Sequence, residues 1–282
     1  MKVLVLGVTG MLGSAVFKVL SNRYDVWGTL RNHRDKSHFS LNLQRKIISS
    51  VDVLNQDDLV NLLSVVKPDV VINCVGLVKQ LATSKDPLVA LPINAMFPHR
   101  LAHLCSLSDT RVVHISTDCV FTGSKGLYVE QDVADSVDLY GVSKWLGEVD
   151  YPNAITLRTS IIGHELHGNR SLIDWFLSQK GEVSGFSRAI FSGLPTIEVA
   201  NIIGDFVIPN AHLTGLYHLS ASPINKYDLL CLVSKVYKKE IKIIKDVNFK
   251  IDRSLDSSLF QKATGFLPSP WPALVQAMYS SH

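Results

Sequence analysis

The run Gly7-Val8-Thr9-Gly10-Met11-Leu12-Gly13 constrains this chain more than any other feature. It joins a short apolar segment, Val3 to Leu6, to a segment of helical periodicity, Met11 to Leu20. In that setting each glycine has a mechanical purpose. The first permits a tight turn, the second lets backbone approach a pyrophosphate, and the third lets the helix pack on the strand. The helix N-terminus adds free N–H donors and a favourable dipole, so a dinucleotide is the expected ligand, held by Gly7, Thr9, Gly10, Met11, Leu12 and Gly13. The competing reading is a tight turn with no ligand. The spacing, Gly-x-x-Gly-x-x-Gly, is one residue wider than the Gly-x-Gly-x-x-Gly fingerprint.

Beyond the turn, short β-branched runs alternate with helix-period stretches. Val26 to Leu30, Val70 to Val75 and Val112 to Ser116 read as strands, and Gln56 to Val66 and Asn94 to Leu107 as helices. Continuous apolar strands with helical crossovers predict an α/β fold with a doubly wound parallel sheet, Rossmann-like. After Leu157 the rhythm loosens around Gly163 to Asn169 and Gly181 to Gly193. The expected division is a cofactor domain over 1–162, rejoined by a strand near 215–219, and a smaller substrate-binding lobe over 163–282. A Lys-rich stretch, Lys235 to Lys250, reads as a solvated face.

With 46% apolar and 19% charged residues in 282, the chain is a packed globule rather than a disordered tail. A net charge of +3 without a basic run gives no nucleic-acid footprint. Cys74, Cys105, Cys119 and Cys231 form no C-x-x-C pair, and His99, His164, His167 and His218 show no ligand spacing, so no metal is expected. The apolar start is broken by glycines, no cleavage site follows, and no apolar run is long enough to span a bilayer. A soluble cytoplasmic protein is expected, with a homodimer left open.

The end of the second strand selects the dinucleotide, because a carboxylate there binds a ribose 2′-hydroxyl whereas an arginine accommodates a 2′-phosphate. Here Arg31-Asn32-His33-Arg34 follows Leu30, with no acid among them, which favours NADP over NAD through Arg31 and Arg34; the alternative is that these arginines merely solvate a loop. Asp52 and Val53, just past the third strand, are placed to meet the adenine; an ordinary exposed loop aspartate is the alternative.

Tyr140 and Lys144 lie four apart in Tyr140-Gly141-Val142-Ser143-Lys144, on one face of a helix. A phenol is a sluggish proton carrier at neutral pH, and a neighbouring ammonium is expected to lower its pKa. Tyr140 then protonates an alkoxide as hydride arrives, and Lys144 also holds the nicotinamide ribose. The strand His114-Ile115-Ser116-Thr117 ends in hydroxyls at the edge facing a ligand crevice, where Thr117, or failing it Ser116, can polarise a carbonyl. The alternative is that both hydroxyls merely cap backbone groups.

Gly7-x-x-Gly10-x-x-Gly13, Asn73-Cys74-Val75-Gly76, Ser116-Thr117-Asp118-x-Val120-Phe121, Tyr140-Gly141-x-Ser143-Lys144-x-x-Gly147-Glu148 and Leu157-Arg158-Thr159-Ser160 occur in this order. Together they resemble an extended short-chain dehydrogenase/reductase, and within it the dTDP-4-dehydrorhamnose reductase family, through to about Leu219. The resemblance implies a catalytic set of Thr117, Tyr140 and Lys144 with Asn94 as a supporting asparagine, and cofactor contacts from Cys74, Val75 and Gly76. It implies reduction of a 4-keto sugar carried on a nucleoside diphosphate. The sequence departs from the family at Gly76-Leu77-Val78-Lys79-Gln80, where an Ala-Tyr-Thr-like run is usual. That loop borders the sugar, which makes Lys79 a substrate candidate and leaves the sugar itself open.

Two other functions share these motifs. A sugar-nucleotide epimerase with tightly held NAD uses the same Tyr/Lys pair, and Arg31 at an acid-free strand end counts against it. A non-catalytic regulatory subunit is the second, because a relative acts as a partner of methionine adenosyltransferase. A 4,6-dehydratase resembles its own kind in a Thr-Asp-Glu at the strand end, where this chain has Thr117-Asp118-Cys119. For the diphosphate, Arg170 and Arg188 are the candidate cations. Trp175 and Phe186 are candidates to stack on the base, although Trp175 reads more simply as core.

Overall fold

The computed structural model describes residues 1–79 and 82–282. Its strands are β1 (Lys2–Leu6), β2 (Asp25–Thr29), β3 (Ile47–Ile48), β4 (Val70–Asn73), β5 (Arg111–Thr117), β6 (Ala154–Thr159), β7 (Ile161–Ile162), β8 (Glu182–Phe191), β9 (Leu194–Pro195), β10 (Gly215–His218), β11 (Ile224–Asn225) and β12 (Lys242–Asp252). Seven of them form one parallel sheet in the order β10-β6-β5-β4-β1-β2-β3. The expected doubly wound sheet is borne out. Strand order reverses between β1 and β4, and such a switch point opens a crevice at the carboxyl ends of the strands.

The central strands are apolar on both faces because helices cover both. Val3, Val5, Ile72, Val113 and Ile155 point into one core with the helices Met11–Leu20, Thr196–Ile202, Lys226–Val236 and Trp271–Ser280. Leu4, Leu6, Val71, Val112 and Ala154 point into the other, against Gln56–Val66 and Phe97–Ser106. Phe17, fully buried, packs edge-on against Phe39 with ring centroids 5.6 Å apart. Burying such a side chain contributes about 1.5–3 kcal/mol.

Several local readings differ from the structure. The helix expected from Asn94 begins earlier, with Pro87–Ala90 leading into a π-helical segment, Leu91–Met96, before Phe97–Ser106. The Lys-rich stretch contains β12, which runs parallel to β8 and completes a small sheet with β11. Its lysines are exposed, and a register shift between Asp246 and Lys250 breaks the alternation that would have marked a strand. Trp175 is not core but 38% exposed. Among the described residues, no helix is long and apolar enough to cross a membrane.

Candidate active site

The first wall of the crevice is the glycine turn. Gly7 has φ +81°, and a Cβ on Gly13 would lie 2.1 Å from the Gly7 carbonyl oxygen, so glycine is required at both for the fold alone. Gly10 is different. Its φ is −73°, and a Cβ there would meet only the Gly7 oxygen, at an ordinary 3.5 Å. The fold leaves that space open. Gly10 also begins the helix Met11–Leu20 without a side-chain cap, and the first turn carries no acid. The amides of that turn therefore face the crevice as donors, a cradle that suits the pyrophosphate of a dinucleotide.

The second wall is built around the end of β5. Thr117 is buried, and its hydroxyl accepts from the Cys119 amide at 3.1 Å and donates to Asp118 Oδ1 at 3.2 Å, capping a short turn, Asp118–Val120. The Ser116 hydroxyl is spent elsewhere, donating to Glu148 Oε1 at 2.6 Å. Glu148 also receives a two-pronged bond from Arg158 on β6, at 2.7 Å to each oxygen. This buried ion pair ties β5, β6 and the end of the helix Leu139–Leu146 into one frame.

That helix starts at Asp138, whose carboxylate accepts from the Gly141 amide at 2.9 Å. A Cβ on Gly147 would sit 1.9 Å from the Asn94 carbonyl oxygen, so glycine lets the helix press against the π-helical segment. Asn94 is buried: its Oδ1 accepts from the Leu77 amide at 2.9 Å and its Nδ2 donates to the Ser143 hydroxyl at 3.1 Å. It braces the loop after β4 against the helix that carries Tyr140 and Lys144.

The electrostatics of the pair run against the sequence expectation. Burial pushes the Tyr140 phenol up from its ordinary value, the Cys119 thiol adds to this, and the Thr117 hydroxyl only partly offsets it. Lys144 does not dominate because its ammonium donates to the Ile115 carbonyl at 2.7 Å and is itself penalised: burial lowers it to about 8, against the pull of Glu148.

Between the walls lies a cleft of about 580 Å³. Thr9, Gly10, Met11, Leu12, Cys74, Val75, Gly76, Thr117, Tyr140 and Lys144 all line it, together with Lys79 and Arg170. Lys79 is paired with Asp138 at 2.6 Å, and Arg170 is exposed at the rim. Gln80, at the end of the loop expected to border the sugar, lies outside the described residues.

Other expected residues fall outside the cleft. Arg188 projects from the exposed side of β8, because the alternating register turns Val183, Gly185 and Ala189 inward instead. Phe186 shares that outer side and pairs with Phe249 at 5.2 Å between centroids. Asp52 accepts from the Leu54 amide at 3.0 Å, shaping the turn before Gln56–Val66, and Val53 packs on the second core. Arg31 follows β2 on the exposed surface with no side-chain partner among the described residues.

The family model for the RmlD substrate binding domain matches residues 1–281. This chain belongs to that family. It is 26% identical over 303 residues to dTDP-4-dehydrorhamnose reductase of Aggregatibacter actinomycetemcomitans, covering 96% of this chain and 95% of that protein. It is likewise 26% identical over 250 residues to the methionine adenosyltransferase 2 subunit beta of Danio rerio, covering 84% and 74%. The crystal structure of dTDP-4-dehydrorhamnose reductase from Bacillus anthracis, in complex with NADP, superposes with a TM-score of 0.81 over 100% of this chain and 99% of that one, at 19% identity. The family resemblance carried by the ordered motifs is therefore borne out, and so is the fold.

In this RmlD-family chain two of the cleft residues missed by sequence reasoning lie far along the sequence. Phe191, at the end of β8, and Lys226, at the start of Lys226–Val236, complete the cleft beside Asp118 and Cys119. Asn225 caps that helix by accepting from the Asp228 amide at 2.8 Å, a local signal for a helix start. Nothing local pairs Lys226 with residues a hundred positions earlier. Among the described residues, no group of three His, Cys, Asp or Glu side chains is arranged around a metal position.

Proposed function

We propose that the protein is an NADPH-dependent reductase of a 4-keto-6-deoxy sugar linked to a nucleoside diphosphate. One observation carries this reading: an uncapped helix N-terminus above a spare Gly10 faces, across one cleft, the cluster Thr117, Tyr140 and Lys144. A bound nicotinamide dinucleotide supplies hydride. The amides of the first helical turn hold its pyrophosphate, Arg31 its 2′-phosphate, and Cys74, Val75 and Gly76 the adjoining ribose. Thr117 orients the carbonyl oxygen by turning its hydroxyl proton from Asp118 Oδ1 to the substrate. Tyr140, kept protonated by burial, delivers its phenolic proton to that oxygen, and Lys144 steadies the phenolate left behind. Asn94 positions the helix that bears both. Lys79 and Arg170 supply cations for the diphosphate.

Elimination chemistry is poorly served, because the strand end offers Asp118 alone. The neighbouring Cys119 thiol is pushed to about 12 by burial and stays protonated. An epimerase holding NAD, or a non-catalytic NADP-binding subunit like the methionine adenosyltransferase relative, has less support: the acid-free end of β2 speaks against the first, and the complete set of Thr117, Tyr140 and Lys144 against the second. Residues 1–162 form the cofactor part in this proposal and 163–282 mainly the substrate lobe, in a cytoplasmic enzyme that works alone or as a homodimer. The test is oxidation of NADPH and of NADH against dTDP-, UDP- and GDP-linked 4-keto sugars. Turnover of one of them with NADPH preferred is the expected result; binding of NADPH with no turnover of any would leave the regulatory reading.

A further inference from the structure

Of the four cations Lys79, Lys144, Lys226 and Arg253 in or beside the cleft, three have acceptors among the described residues. Lys144 donates to the Ile115 carbonyl, Lys79 to Asp138, and Arg253 to the Phe121 carbonyl at 2.8 Å, with the Cys119 sulfur at 3.7 Å from its other arm. Lys226 is the exception. Its ammonium lies 3.9 Å from the centre of the Phe191 ring, half-buried at the cleft wall, with no hydrogen-bond acceptor from the described residues. A ring face attracts the charge but leaves the three N–H donors unfilled.

Burial lowers its pKa to about 8, opposed by the nearby Asp118 carboxyl. Below that value it is cationic, with its three donors open to the cleft. The helix start at Asn225 and the contact with the Phe191 ring set it on the cleft wall near Asp118 and Cys119, the two residues that follow Thr117.

We propose that Lys226 is a specificity residue that donates to an oxygen of the sugar ring, a hydroxyl neighbouring the reacting carbon, rather than to the diphosphate. This inference rests on the reading of the cleft as a sugar-nucleotide site. It adds the residue that distinguishes the sugar from the bare nucleotide.

The test is calorimetric binding of dTDP-L-rhamnose and of dTDP to NADPH-loaded wild type and to Lys226→Met, which keeps the stem against Phe191 and removes the donors. Loss of one hydrogen bond to a charged group is expected to weaken dTDP-L-rhamnose by about 10- to 100-fold and to leave dTDP within about twofold. Lys226→Arg, still cationic, should recover most of the loss. Equal weakening of both ligands, or no change in either, overturns the inference, as does a wild type that binds the sugar nucleotide no better than dTDP. Turnover is not needed for this readout. A chain that binds the sugar through Lys226 yet reduces no keto sugar keeps the inference and sinks the proposed reaction.

Discussion

Two parts of the cleft present hydrogen-bond donors by different means. At the glycine turn the donors are backbone amides, fixed by the path of the chain before any ligand arrives. Elsewhere on its wall they are side-chain cations, Lys79, Arg170 and Lys226, carried on two loops and a helix start. Backbone donors tolerate changes of side chain provided the glycines stay, so they recur as a motif. Side-chain donors depend on which distant elements meet, so this part is free to change its ligand while the first keeps its own.

The largest expected effect falls outside both sets of donors. Tyr140→Phe removes the proton donor without disturbing either wall, and should lower kcat by about 100- to 10,000-fold while fluorescence titration finds NADPH affinity within about twofold. Retention of full turnover would remove the catalytic cluster from the comparison. Next come the glycines. Gly13→Ala drives a Cβ into the Gly7 carbonyl and should cost about 1–3 kcal/mol in urea unfolding. Gly10→Ala should cost less than about 0.5 kcal/mol yet weaken NADPH binding, separating the glycine kept for the fold from the one kept for a ligand. Equal destabilisation by the two substitutions would end that distinction.

Arg31→Ala should weaken NADPH by about tenfold and spare NADH, read as the ratio of their dissociation constants. An unchanged ratio assigns the 2′-phosphate elsewhere. The smallest effect is on stability against pH. Lys144 titrates near 8 in the folded chain and at its ordinary 10.5 when unfolded. Below 8 both states hold the proton and the burial penalty is complete; between the two values the unfolded chain holds more protons, so stability rises with pH. Thermal melts between pH 8 and roughly 9.5 should show a smaller rise for Lys144→Met than for wild type. A steeper rise in the variant would contradict the burial of a charged Lys144.

Much of this was legible because it is local. The glycine turn, the hydroxyl-ended strand and the Tyr/Lys spacing each occupy fewer than about ten residues with a period that sets their direction. Asn94 was recognisable by position, but its bracing of Leu77 against Ser143 was not, since that needs two loops to meet. Lys226 was hidden in the same way. Arg188 failed for a subtler reason: in an alternating strand a shift of one residue exchanges the faces, and the start of β8 was not readable through its loop-like composition. Tyr140's raised pKa reverses an argument that counted the nearby ammonium but not the burial of the whole group.

The π-helical segment Leu91–Met96 has one further consequence. A π turn accommodates one residue more than an α-helix would over the same path. The segment is thus a spacer in the helical count, and the faces of Phe97–Ser106 are set by it: Phe97, Leu101 and Cys105 reach the core only with that extra residue in place. Deleting a single residue between positions 91 and 96 would turn the following helix by about 100° and set its apolar stripe against its own packing. Length variation in this family should therefore collect in the loop before Pro87, and the segment itself should keep its number of residues even where their identities drift.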